Sequence, residues 1–263
     1  EATLVLYDGS PFYPDGNVLF DLADEEKINV FGVSAKYIDA CAKGGIEPAR
    51  THDMGSVESI LSTGSSLLPE SFDYIYEKVK SDVLLSSMSG RTDLCRCFVA
   101  GNPVKPVWRG ELQSLVVGMA TDVFNDEGKS VRGEKGELVC TRSFPSMPVE
   151  FWRDPGDAKY RAAYFEVYDN VWRHGDYCEI TEHDGMVIYG RSDAVLNPGG
   201  VRIGTAEIYR QVERLDEVVE GLVIGQEWDG DTRVVLFIRL RDDVELDADL
   251  EAKIRKQIRD NAT

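Results

Sequence analysis

The sequence predicts an α/β fold in two parts, and three observations carry that prediction. Up to about residue 100, short apolar runs alternate with helix-patterned segments, the order expected of a largely parallel, helix-covered sheet. From there to about residue 190, closely spaced strand patterns broken by glycines predict an antiparallel sheet or small barrel. Beyond a glycine-rich joint, strands and helices over about seventy residues predict a small α+β unit. The boundary falls near Arg191–Asp193, dividing the chain into residues 1–192 and 193–263.

In the first stretch, strand patterns fall at Ala2–Tyr7, Ile28–Phe31, Ser59–Ser62 and Val83–Ser87, and helix patterns at Val18–Asp24, Ser34–Ala42 and Pro69–Lys80. In the second, strand patterns fall at Gly110–Val117, Ala120–Phe124, Gly136–Arg142, Tyr177–Ile180 and Met186–Tyr189. The Asn125-Asp126-Glu127-Gly128 and His183-Asp184-Gly185 stretches suit hairpin turns. After the joint, Val218–Gln226 and Thr232–Leu240 pattern as strands. Leu246–Arg259 patterns as a helix with Leu250, Ile254 and Ile258 on one face, and Glu251 lies four residues before Arg255.

With 263 residues, of which 43% are hydrophobic, the chain can bury a sizeable core. A net charge of −18 argues against broad contact with nucleic acid or an anionic membrane surface. No apolar run approaches the roughly 20 residues that span a bilayer. The five cysteines (Cys41, Cys95, Cys97, Cys140, Cys178) include no C-x-x-C and read as free thiols of a reducing cytoplasm. His52, His174 and His183 lack metal-site spacing. The chain starts in a strand-like run and stops just after a helix pattern, so the expectation is an internal fragment of a longer protein.

The joint runs from Tyr189 through Gly190, Arg191, Asp193, Pro198, Gly199, Gly200, Arg202 and Gly204 to Ile208. Glycines there permit positive φ and close approach of main chain to a ligand, and Pro198 holds Asn197 extended. Arg191 and Arg202 offer guanidiniums suited to phosphate. After Gly204 the pattern turns helical, with Ile208, Val212 and Leu215 on one face and Glu207 in the first turn, where the helix dipole favours a carboxylate. These residues alone suit a ligand-handling loop or a hairpin with glycine turns and two surface arginines.

Five motifs in order, spread over almost the whole chain, resemble the adenylate-forming superfamily of acyl-CoA synthetases, adenylation domains and luciferases. They are Ser62-Thr63-Gly64-Ser65-Ser66, Ser89-Gly90-Arg91-Thr92-Asp93, Gly136-Glu137-Leu138-Val139, His174-Gly175-Asp176 and the joint itself. Within the superfamily, Leu4–Pro11, Ile60–Ser65 and His174–Cys178 resemble the ligases that activate acetoacetate. The resemblance implies the later part of a large adenylate-forming domain, followed by part of a small mobile one. It also implies a two-step reaction. An acid attacks the α-phosphate of ATP to give an acyl-adenylate and pyrophosphate, and coenzyme A then displaces AMP after the small domain rotates.

Carried over residue by residue, the resemblance implies that Gly64, Ser65 and Ser66 line the adenine, a stretch that by composition is also an ordinary turn. Thr92 would touch the α-phosphate and Asp93 would hold Mg²⁺, although both residue types also cap helices. Asp176 would accept hydrogen bonds from the ribose hydroxyls. Arg191 would contact ribose or phosphate, with Asp193 as the hinge. Arg202 would reach the α-phosphate, and Gly200 would line the path of the coenzyme A thiol. Thr92 and Arg202 are thereby the expected catalytic pair.

Gly90, where acetate-activating relatives carry tryptophan, would lengthen the acyl pocket, with Phe31, Gly32 and Val33 as the other wall. Arg91 departs from the glycine expected there, and it could clash with that pocket or pair with a substrate carbonyl. A phosphate loop is expected before Glu1 and an adenylating lysine after Thr263, so the fragment alone is expected to be a poor catalyst or none. The implied partners are ATP, Mg²⁺, coenzyme A and acetoacetate, in the cytoplasm, with no nucleic acid or membrane. A ligase for another short acid and a non-catalytic nucleotide-binding module are the alternatives.

Overall fold

The computed structural model describes residues 2–196, 203–228 and 231–262. The chain divides into two compact units, Glu1–Gly90 with Val99–Ser114, and Arg91–Phe98 with Leu115–Thr263. In chain order the first elements are α1 (Val18–Glu25), β1 (Val30–Ser34), α2 (Ala35–Lys43), the short α3 (Pro48–Thr51), β2 (Ser59–Thr63), α4 (Pro69–Tyr74) and β3 (Leu84–Ser87). They are followed by β4 (Ser89–Arg91), β5 (Arg96–Ala100) and β6 (Ser114–Leu115), which form a three-stranded sheet of order β4-β5-β6.

The first unit is built on a parallel sheet of order β1-β2-β3, with Val33 opposite Ser62 and Ser62 opposite Ser87. Ile60 and Leu85 are fully buried on it, beside Phe20, Ile38, Val57, Phe72 and Val79 from the flanking segments. Ser34 caps α2, its hydroxyl accepting from the Tyr37 N–H at 3.1 Å, which stops the strand and starts the helix at one residue. The helix expected over Pro69–Lys80 opens after Tyr74 into a wider π-type turn, Ile75–Val79, that buries Ile75 and Val79.

The second unit contains an antiparallel sheet of order β10-β9-β8-β7, from β7 (Thr121–Phe124), β8 (Gly136–Cys140), β9 (Trp172–Ile180) and β10 (Met186–Arg191). Both predicted hairpin turns are present. Gly128 N–H closes on Asn125 O at 3.0 Å, and Thr181 N–H on Gly185 O at 3.0 Å. Helix α5 (Ala158–Tyr164), which the apolar patterning missed, packs Tyr164 flat on Trp172 with ring centroids 3.6 Å apart. The remaining elements are α6 (Thr205–Val212), β11 (Val218–Trp228), β12 (Asp231–Leu240) and α7 (Ala248–Asn261). They share a core of their own, made by Leu196, Ile208, Val212, Leu215, Val218, Val223, Leu250 and Ile254.

Two expectations are corrected. Ala2–Tyr7 is not a strand: it has no pairing partner among the described residues, and Leu4 and Leu6 are about four-fifths exposed. Apolar alternation cannot hold a strand whose ladder and inner face find nothing to bind. Of Gly110–Val117, only Ser114–Leu115 is strand. Gly110 and Gly118 take positive φ at either end, and the buried Gln113 side chain binds loop carbonyls of Asn102, Lys105 and Pro106. No helix of the described residues is long and apolar enough to cross a membrane.

Ile60→Ala should lower unfolding stability by about 2–5 kcal/mol, because it opens a cavity in the centre of the parallel sheet. A shift of the urea midpoint in circular dichroism measures it.

Candidate functional site

The sequence-predicted residues fall in both units. In the first, Phe31, Gly32 and Val33 lie on β1 and Gly90 lies on β4. Gly64 follows β2 directly with φ +91°, a left-handed turn that lets Ser65 and Ser66 leave the strand end. Gly32 and Gly64 have open space where a Cβ would stand. The Ser62–Ser66 loop thus sits at the carboxyl end of a parallel strand, the usual place for ligand loops in α/β sheets.

In the second unit, Thr92 and Asp93 form a tight turn between β4 and β5, closed by Cys95 N–H on Thr92 O at 3.2 Å. Both are exposed, and the Asp93 carboxylate accepts a short hydrogen bond from the Tyr164 hydroxyl through Oδ2. Burial, then the nearby Asp93 charge, raises the pKa of that phenol. No group of three or more His, Cys, Asp or Glu among the described residues forms a ready metal cage. One carboxylate exposed to solvent fits Mg²⁺ bound mainly through a ligand's phosphates.

The second unit also gathers His174, Gly175, Asp176, Arg191 and Asp193 where β9 and β10 run side by side, with Asp176 opposite Arg191. Arg191 Nη1 lies 3.0 Å from Asp176 Oδ1, and its Nε lies 3.3 Å from Asp193 Oδ1. Gly175 has φ +84°, and a Cβ there would meet the Arg191 guanidinium at 2.5 Å. Glycine is therefore favoured by the backbone angle, and any side chain here would also have to displace the arginine.

The turn is held from behind by contacts that the sequence did not reveal. Glu137, buried on β8, accepts the Gly175 N–H at 2.7 Å and pairs with Arg173 Nε at 3.1 Å. Arg91 and Arg191 both donate to the His174 carbonyl, at 3.0 and 3.2 Å. These partners lie far apart in sequence, and only the Gly-Glu-Leu motif hinted at one of them.

Burial raises the pKa of Asp176, while Arg191 and then Arg91 act in the opposite sense and favour its charged form. His174 is fully buried against Phe98, with ring centroids 4.6 Å apart, and its pKa is depressed to about 3 by burial and by the two arginines. The Trp172 indole N–H points at Nδ1 over 3.5 Å, so the neutral ring carries its proton on Nε2, 3.6 Å from Asp176 Oδ2.

The joint begins as expected, with Gly190 at φ +133° and Arg191 closing β10. Gly200 and Arg202 lie outside the described residues. Helix α6 is anchored at its start by Glu207, whose Oε1 accepts the Gly204 N–H at 2.9 Å while Oε2 pairs with Lys135 at 2.8 Å. Lys135 also covers the Tyr189 ring at 4.2 Å, and Arg210 donates to Ile188 O at 2.9 Å. The elements after the joint are in this way tied to β10 and to the segment before β8.

No protein-family model matches the chain. It is 66% identical over 262 residues to acetoacetyl-coenzyme A synthetase of Rhizobium meliloti (strain 1021), covering 100% of this chain and 40% of that protein. The solved acetoacetyl-CoA synthetase from Streptomyces lividans superposes with a TM-score of 0.89 at 40% identity, over 96% of this chain and 39% of that one. The anthranilate CoA ligase AuaEII, solved with anthranoyl-AMP, shares the fold, with a TM-score of 0.80 at 21% identity over 100% of this chain and 48% of that one. The chain thus spans about two fifths of the length of the curated relatives it matches.

Because the unfolded chain takes up a proton on His174 near the ordinary 6.5 and the folded chain only near 3, the neutral ring favours folding above that window. This contribution is complete above pH 6.5 and is lost as pH falls toward 3, at about 1.4 kcal/mol per pH unit. Chemical denaturation from pH 7 to 4 should show that slope reduced in His174→Gln. Gly175→Ala should lower stability by about 1–3 kcal/mol through its positive φ, with displacement of Arg191 visible in a crystal structure.

Proposed function

We propose that this chain, which belongs to the acetoacetyl-CoA synthetase family of adenylate-forming ligases, contributes nucleotide and acyl contacts to an enzyme joining acetoacetate to coenzyme A. The observation that carries the reading is the Asp176–Arg191 pair on its glycine turn. It is a largely buried carboxylate paired with a guanidinium beside the proposed pivot, in a chain 66% identical over 262 residues to such a synthetase.

In this reading a carboxylate oxygen of acetoacetate bonds to the α-phosphorus of ATP, and the bond to pyrophosphate breaks. The coenzyme A sulfur then bonds to the acyl carbon, and the bond to AMP breaks. Neither step needs a protein nucleophile, so positioning and stabilisation of phosphate charge are the whole task. The cysteines fit that picture. Cys41 and Cys178 are buried, and burial pushes the pKa of both thiols up, away from thiolate chemistry.

Asp176 takes both ribose hydroxyls, which a single carboxylate with two oxygens can do. Gly64, Ser65 and Ser66 line the adenine. Thr92 and Arg202 hold the α-phosphate, and Arg191 touches ribose or phosphate. Asp93 holds Mg²⁺, which when bound neutralises phosphate charge as the pyrophosphate leaves. Gly90, exposed on β4, leaves room for the acyl chain, with Phe31, Gly32 and Val33 as the facing wall. Residues 1–192 belong to the large domain and 193–263 to the small one, with Asp193 as pivot and Gly200 on the thiol path. The separate core shared by α6, β11, β12 and α7 supports that division.

In the complete protein, acetoacetate should give thioester faster than acetate or butyrate at equal concentration, followed as AMP released. Equal rates on all three acids would remove acetoacetate as the substrate. Gly90→Trp should cut the preference for acetoacetate over acetate by about 10–200-fold in kcat/KM, the cost of filling acyl-sized space. Asp176→Asn should weaken AMP binding by about 10–100-fold in calorimetry, the loss of charge-assisted hydrogen bonds.

A further inference from the structure

We infer that Arg91 is a positioning residue for the carboxylate of Asp176, sharing with Arg191 the task of fixing the His174-Gly175-Asp176 turn. The inference rests on the nucleotide site proposed above and adds to it a residue that the motifs leave without a role. Arg91 ends β4 with extended backbone, φ −142° and ψ 156°, and reaches across 83 residues of sequence to the His174 carbonyl at 3.0 Å. That carbonyl is its one hydrogen-bond acceptor among the described residues. Arg191 donates to the same oxygen at 3.2 Å, and a carbonyl with two lone pairs accepts both.

Two guanidiniums meeting at a neutral oxygen repel each other, so the arrangement needs a nearby anion. Asp176 supplies it: Oδ1 lies 3.0 Å from Arg191, and Arg91 also acts on its charge. On the other side of the turn, the Gly175 N–H is fixed by Glu137 at 2.7 Å. The peptide between His174 and Gly175 is thus pinned at both ends, by its carbonyl and by its N–H. This leaves the carboxylate little freedom to turn away from a ligand.

The two arginines differ in their other duties. Arg191 also holds Asp176 and Asp193, and it stands at the start of the joint. Arg91 has only the carbonyl to hold. It therefore keeps the turn fixed when Arg191 is drawn toward a nucleotide or moves with the joint. This use of the side chain also answers the two roles that its unusual identity raised, a clash with the acyl pocket and a bond to the substrate carbonyl. One nitrogen of the guanidinium, Nη1, is already engaged on main chain.

The test is calorimetry on the complete protein with AMP, adenosine and 2′,3′-dideoxyadenosine, comparing the wild type with Arg91→Met and Arg91→Lys. Methionine keeps the apolar stem and removes the donor, while lysine keeps one donor. Arg91→Met should weaken AMP and adenosine alike by about tenfold, the scale of coupling within one hydrogen-bond network. It should leave 2′,3′-dideoxyadenosine unchanged, since Asp176 has no hydroxyl to hold there. Arg91→Lys should recover most of the loss, with an unchanged melting temperature.

A loss confined to AMP would overturn the inference in favour of a direct phosphate contact. An equal loss on all three ligands would assign Arg91 a general structural role. No loss on any would leave it without one. Should wild-type protein bind none of the three, the nucleotide site itself falls, and this inference with it. Should Arg91→Met fail to fold, Arg91→Leu takes its place: a loss on adenosine larger than on the dideoxy ligand supports the inference, and equal losses on both, or none, overturn it.

Discussion

The ion pair between Asp176 and Arg191 is the contact on which the proposed site depends. A carboxylate withdrawn from water tends to take up a proton, and a neutral acid would be a poor acceptor for two hydroxyls. Arg191 offsets that tendency, but only if its guanidinium lies directly over the turn. The space it occupies is the space a side chain at residue 175 would need, so glycine follows from the ion pair. The positive φ at Gly175 then turns its N–H toward Glu137, whose other oxygen is held by Arg173. The ion pair, the glycine and the buried glutamate thus meet at one turn where β9 and β10 pair.

The same arginine links the site to the joint. Arg191 closes β10 and bonds Asp193 two residues later, and Gly190 before it abuts Thr205 at the start of α6. That helix is fastened by Glu207, a buried carboxylate satisfied by the Gly204 N–H and by Lys135. Lys135 comes from the segment before β8 and also lies over Tyr189. The part of the chain after the joint has its own hydrophobic core, and among the described residues Arg210 bonds it to β10 and Glu207 to Lys135 before β8. A core of its own is what the proposed pivot at Asp193 would require of this part of the chain.

Much of the fold was legible because local patterns suffice for it. The runs ending at Ser62 and Ser87 have the apolar content of parallel strands, and α7 carries the spacing of Leu250, Ile254 and Ile258. The patterning failed where tertiary context decides. Ala2–Tyr7 alternates like a strand but has no partner among the described residues, and α5 is held by Tyr160 and Tyr164 packed on Trp172 and by Asp154 at its start. The site was legible in its named residues and not in their support. Asp176, Gly175 and Arg191 stand in short motifs. Arg91 and Glu137, by contrast, reach the turn from 83 and 38 residues away, and no local spacing encodes those contacts. The departure of Arg91 from glycine was visible as an anomaly, and its partner only in three dimensions.

The central claim is that this site serves an acyl-adenylate route, and the most direct measurement isolates its first step. Exchange of labelled pyrophosphate into ATP should be followed in the complete protein with Mg²⁺, without coenzyme A, in the presence and absence of acetoacetate. An adenylate route predicts exchange that requires acetoacetate and proceeds with no thiol present, because formation of the adenylate is reversible before coenzyme A arrives. Thioester formation without any acid-dependent exchange would contradict the account.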